Sequence, residues 1–163
     1  MKSGRIAILA LTGLLLAALG TTVFAQVHHE IELTRSEIQT DRQAIVAENL
    51  PLTEEQSKAF WPLYRDYRVE LAKLGDRYVA LITDYAKSYD TLTDEQAKAM
   101  LDEFFAIQKK EIQIKTDWAP KLGKVLPPKA LARFFQIENK LDAIIRFGLA
   151  DEIPLVEHQS QGK

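Results

Sequence analysis

Cysteine is absent from the 163 residues. That removes disulfides, thiolate nucleophiles and cysteine-based metal sites, and leaves side-chain packing as the source of stability. Histidine is scarce: His28, His29 and His158 lie near the two ends, which excludes a histidine acid–base or nucleophilic site in the body of the chain. The seven glycines form no phosphate-binding loop, and no HExxH zinc motif occurs. Carboxylates are plentiful, but no pair sits in an evident apolar context that would shift its proton affinity. No window alternates as a strand does. These absences together read as an all-α protein that is not an enzyme.

The start of the chain carries an export signal. Lys2 and Arg5 precede an apolar run from Ile6 to Leu19, and Val23-Phe24-Ala25 places small residues at the two positions a signal peptidase reads. Cleavage is expected after Ala25, giving a periplasmic protein with no membrane span. The alternative, an uncleaved anchor, is disfavoured by the short apolar run. Four divisions follow: residues 1–25 as signal peptide, 26–33 as a flexible mature start, 34–148 as a helical domain and 149–163 as a tail.

Without Lys2 and Arg5 the chain keeps 19 basic and 23 acidic residues, a balance that gives no reason to expect nucleic-acid binding. The charge is unevenly spread. Gln26 to Phe105 holds 9 basic and 16 acidic residues, whereas Ala106 to Gly148 holds 9 basic and 4 acidic. Such asymmetry suits partner steering or antiparallel pairing of subunits; solvated helix faces are the plainer reading.

Four helical segments are legible. Thr34-Arg35-Ser36-Glu37 opens the first as a capping box, with Ile31, Ile38 and Ile45 at heptad spacing and an end near Asn49. Leu52-Thr53-Glu54-Glu55-Gln56 opens the second, with Thr53 as N-cap and Gln56 three residues on. Phe60, Tyr64, Tyr67, Leu71, Leu74, Tyr78, Leu81 and Tyr85 then recur in steps of four and three, a coiled-coil-type seam in a long helix from about Glu54 to Ser88. Pro62 is expected to bend it. Leu92-Thr93-Asp94-Glu95-Gln96 repeats the start, ahead of Ala97, Met100, Leu101, Phe104, Ile107, Ile114 and Trp118, a stripe interrupted by Glu111. Pro120 is expected to bend or end this third helix. Pro127-Pro128 starts the fourth, with Leu131, Phe134, Phe135, Leu141, Ile144 and Ile145 on its apolar side and Gly148 as its stop. Ile153-Pro154-Leu155-Val156 is expected to pack as an extended strip, and Glu157 to Lys163 to lack fixed structure.

Two constellations could bind something. Trp61 lies one residue off the aromatic seam, and Arg65, Arg68 and Arg77 share its helix; they read equally as solvated side chains or as a binding surface. Cleavage after Ala25 would also expose Gln26-Val27-His28. A free amine, two amide nitrogens and a third-position imidazole suit square-planar Cu(II) or Ni(II), with His29, Glu30 and Glu32 as further ligands, also for zinc. Cyclisation of Gln26 would remove the amine.

The pentapeptides Leu52-Thr53-Glu54-Glu55-Gln56 and Leu92-Thr93-Asp94-Glu95-Gln96 resemble the LTxxQ motifs of the Spy/CpxP family of periplasmic proteins. Leu52, Thr53, Gln56, Leu92, Thr93 and Gln96 carry the match. Phe60-Trp61-Pro62-Leu63-Tyr64, Val125 to Lys129, Arg133 to Asp142 and Ile153 to Val156 are similar to an exported subgroup without an established activity. The resemblance implies a four-helix protomer and an antiparallel homodimer shaped as a curved cradle. It also implies an ATP-independent chaperone that binds unfolded envelope proteins without a cofactor, for which Trp61, Arg65, Arg68 and Arg77 are the candidate client contacts. Metal-responsive relatives make His28 and His29 candidates for a second reading, and an adaptor for an envelope-stress sensor is a third. The chain departs from the chaperone members in its net acidity and in the Arg133 to Asn139 stretch.

Overall fold

The computed structural model describes residues 41–156. They form four helices and, among the described residues, no strand: α1 over 41–49, α2 over Glu54–Ser88, a 3-10 turn at Tyr89–Thr91, α3 over Asp94–Leu122 and α4 over Pro128–Glu152. The helical signal of Thr34 to Glu37, with Ile31 and Ile38, lies outside the described residues.

Both expected capping boxes are formed. The Thr53 hydroxyl accepts from the Gln56 amide at 3.2 Å while the Gln56 side chain accepts from the Thr53 amide at 3.0 Å. Thr93 and Gln96 repeat the arrangement at the same two distances. Each box satisfies orphan donors at a helix start, and Glu54, Glu55, Asp94 and Glu95 add negative charge at the positive end of the dipole. Leu52 packs against the core ahead of its box.

α2 runs unbroken through Pro62, and α3 runs through Pro120 to Leu122 before Gly123 caps it. α4 also passes the expected stop at Gly148 and ends at Glu152. The glycine has an ordinary helical sign of φ, and the terminator is further on: Ile153 precedes Pro154, and a residue before proline is pushed out of the helical region. Ile153 is extended, with φ −98° and ψ 111°.

α2 and α3 form an antiparallel hairpin whose register is set by Tyr67 against Trp118 and by Arg77 against Glu103. α4 returns along α3, with Asp142 opposite Lys115 and Arg146 opposite Glu111. α1 runs antiparallel to α4: Arg42 meets Glu138 and Asp142, and Arg133 donates to the Asn49 carbonyl. The core lies between them and is aromatic at its centre. Phe134 meets Phe60 edge-on at 5.4 Å and Tyr67 at 5.9 Å, and all three are fully buried. Val46 from α1, Leu50 just after it, Leu74 from α2, and Ile107, Ile114 and Leu122 from α3 close it.

The α2 seam packs as expected at Phe60, Tyr64, Tyr67 and Leu74, with Leu71, Tyr78 and Leu81 half-buried beside them. Toward the hairpin tip the buried residue is Ile82, which the seam leaves out. Two other assignments change. Leu101 and Ile144, read as core-facing, are 52% and 67% exposed. Among the described residues no helix is long and apolar enough to cross a membrane.

Candidate functional site

Seven charged side chains from all four helices form one connected network that runs from the buried Glu138 to the exposed Arg146. Glu138 on α4 is fully buried; one of its oxygens accepts from Arg42 at 2.9 Å and from Arg68 at 3.1 Å. Arg42, itself buried, donates at 2.7 Å to Asp142, one turn along from Glu138. Asp142 also accepts from Lys115 at 2.8 Å, Lys115 donates to Glu111 at 2.6 Å, and Glu111 accepts from Arg146 at 2.7 Å. The chain of contacts alternates in sign from Arg68 to Arg146, so each carboxylate lies between cations.

Burial opposes the charge on Arg42, yet Glu138 and Asp142 more than offset it and hold its proton more tightly than usual. Burial works against the Asp142 carboxylate too, but Arg42 and Lys115 outweigh it and hold its proton affinity below the usual carboxylate range. Lys115 is shifted up by Asp142 and Glu111 against the effect of burial. The phenols of Tyr64 and Tyr67 are pushed well above their ordinary range, first by burial and then by the negative charge of Glu138. Four buried polar atoms have no partner among the described residues: Arg42 Nε, Glu138 Oε1, the Tyr67 hydroxyl and Trp118 Nε1. Removing one partner of a buried ion pair typically costs about 3–5 kcal/mol, because it strands the other charge. Arg42 thereby ties α1 to α4, and Arg68 ties α2 to the same Glu138.

Sequence shows no pair of carboxylates in an evident apolar setting; the buried Glu138 and half-buried Asp142 correct that expectation, and the Asp142 carboxylate is the one held below its usual range. Their four-residue spacing puts both on one helical face, flanking buried Leu141 in a region otherwise rich in cations. That pattern was the available signal. Glu111 interrupts the apolar stripe of α3 because it pairs with Lys115 and Arg146.

The four residues proposed to touch a client, all on α2, differ in their surroundings. Trp61 is half-buried, edge-on to Phe60 at 5.1 Å and Tyr64 at 5.5 Å, with its indole N–H donated to Ser57 at 2.9 Å. Arg68 reaches inward to Glu138. Arg77 forms a two-pronged exposed pair with Glu103 at 2.9 Å, a contact that ties α2 to α3. Arg65 is exposed on the outer face of α2. His28 and His29 lie outside the described residues, and no cluster of three potential metal ligands occurs among the described ones.

The outward faces carry a second feature that the sequence reading did not single out. Leu101, Phe105 and Ile112 stand at helical spacing on one face of α3 and are 52%, 57% and 64% exposed. Lys109 lies on the same face. On α2, Val69 is exposed between Arg65 and Lys73. On α4, Ile144 and Phe147 are exposed. Large apolar side chains in water, interleaved with cations, fit contact with another apolar chain. Comparison with family models, with curated proteins and with solved structures finds no match.

Proposed function

We propose that this protein is an ATP-independent periplasmic chaperone that binds unfolded envelope proteins through exposed apolar rows edged by cations. The exposed row Leu101, Phe105 and Ile112 on α3 carries the reading. Val69 and Arg65 of α2 extend it, and Arg65 is the member of the original four with its charge turned to solvent. Contacts of this kind are individually weak and reversible, which lets a client fold while bound. The interior network supports the role by holding the helices rigid, so that the apolar rows stay presented. In the same reading two copies associate as an antiparallel homodimer with a curved, cradle-like surface. The acidic hairpin tip, with Asp84, Asp90, Asp94 and Glu95, and the basic α3–α4 corner, with Lys121, Lys124 and Lys129, favour that orientation.

The test is a client aggregation assay. The exported chain is mixed with a chemically unfolded protein without ATP, and light scattering is followed at rising ratios. Suppression near a one-to-one ratio, absent with an inert helical protein of similar charge, is expected; no suppression at large excess would sink the reading.

A further inference from the structure

At the tip of the α2–α3 hairpin an apolar cleft of about 220 Å³ is lined by Tyr78, Leu81, Ile82, Tyr85, Met100 and Phe104. Its remaining wall is Ile153, from the segment that follows α4. This segment is bound as a peptide would be. It is extended from Ile153 onward, and its main-chain carbonyls are gripped by two tyrosines on the rim. The Tyr85 hydroxyl donates to the Pro154 carbonyl at 2.9 Å, and the Tyr89 hydroxyl donates to the Leu155 carbonyl at 3.0 Å. The two rings meet edge-on at 5.6 Å, which holds both hydroxyls in position.

Three properties separate this from ordinary tail packing. The polar contacts go to main-chain carbonyls, which every peptide offers, so the grip does not depend on the sequence held. One aliphatic side chain, Ile153, lines the cleft, whereas Leu155 and Val156 remain 88% and 59% exposed. The hold is therefore slight: one side chain and two hydrogen bonds. Finally, the volume of about 220 Å³ is unfilled with Ile153 in place, room for an aliphatic or aromatic side chain.

We propose that this cleft is a binding site for an extended, apolar peptide segment of another chain, and that the Ile153 to Val156 segment closes one side of it as a displaceable internal plug. The proposal rests on the client-binding reading above and gives it a specific site. The plug acts as a threshold. Tethered to α4, it competes at the millimolar effective concentration typical of a short link, so only segments that fill the cleft better, or that are also held on the apolar rows, displace it.

The test uses a fluorescein-labelled peptide with the sequence of residues 150–157 and fluorescence polarisation against the exported chain and its Ile153→Asp variant. The variant is expected to bind the peptide about tenfold more tightly or better, because the internal competitor is removed. Adding Tyr85→Phe and Tyr89→Phe should abolish that gain, and Ile153→Ala serves if the aspartate variant fails to give a native helical spectrum. Equal affinity for the wild-type and variant chains, or a gain that survives loss of both hydroxyls, overturns the proposal. Client aggregation is followed with the same proteins. Suppression without peptide binding overturns the plug and leaves the chaperone reading standing; peptide binding without suppression does the reverse.

Discussion

Asp142 shows how a single residue is set by its surroundings. Its carboxylate is largely enclosed, which by itself would favour the neutral form, but Arg42 and Lys115 both touch it and the ionised form wins. A carboxylate with a depressed folded-state value stabilises the fold above its unfolded value of about 4, and that contribution is lost as the pH falls through the folded value. Denaturant unfolding should accordingly show stability that is flat near neutrality and falls below about pH 4. In Asp142→Asn the overall stability should be lower at pH 7, and the acid slope shallower, because one titrating group has gone. An unchanged slope would show that Asp142 is not linked to folding. None of this was legible from composition, since a carboxylate on an amphipathic helix reads as a solvated one until its neighbours from α1 and α3 are known.

At the level of elements, the starts of helices were far more legible than their ends. A helix start is local chemistry: Thr53 and Gln56, or Thr93 and Gln96, satisfy backbone donors three residues apart, and the sequence contains both partners. Helix ends are less local, because a proline or glycine stops a helix only where the rest of the turn does not absorb it. Pro120 sits within the last turn of α3 without ending it, and Gly148 lies inside α4. A side chain added at Gly148 would meet nothing within 4 Å. With a helical backbone and open space around it, Gly148→Ala should raise stability by about 0.5–1 kcal/mol through helix propensity alone. Thermal unfolding would check this, and a loss of stability would mean that the glycine serves a contact beyond the described helices.

Taken as one body, the helices hold an apolar core threaded by a buried ion pair and leave apolar rows in water, and it is on those rows that the proposed client binding rests. Phe105→Ser and Ile112→Ser remove apolar surface that is already in water, so folding stability should change by about 0.5 kcal/mol or less. Suppression of client aggregation should nevertheless weaken several-fold in the double variant. A large loss of stability with unchanged suppression would assign these residues to the fold instead. The comparison is informative because Leu101 and Phe105 were embedded in the same stretch as Phe104 and Ile107, and periodicity alone does not divide a broad apolar band into its packed and open halves.

The sequence by itself determined the helical class, the two capped starts, the long aromatic helix from Glu54 to Ser88 and most of its packed positions. Those features rest on contacts within one or two turns, where residue spacing fixes geometry. Packing between helices sets the rest: Arg68 faces inward, Glu138 is buried between two arginines, Leu101 and Ile144 face water, and Ile153 lines a cleft beside which Tyr85 and Tyr89 hold the segment after α4. Each of these depends on which helix lies opposite, across separations of 66 to 96 residues in the case of the polar contacts, and no local pattern encodes that.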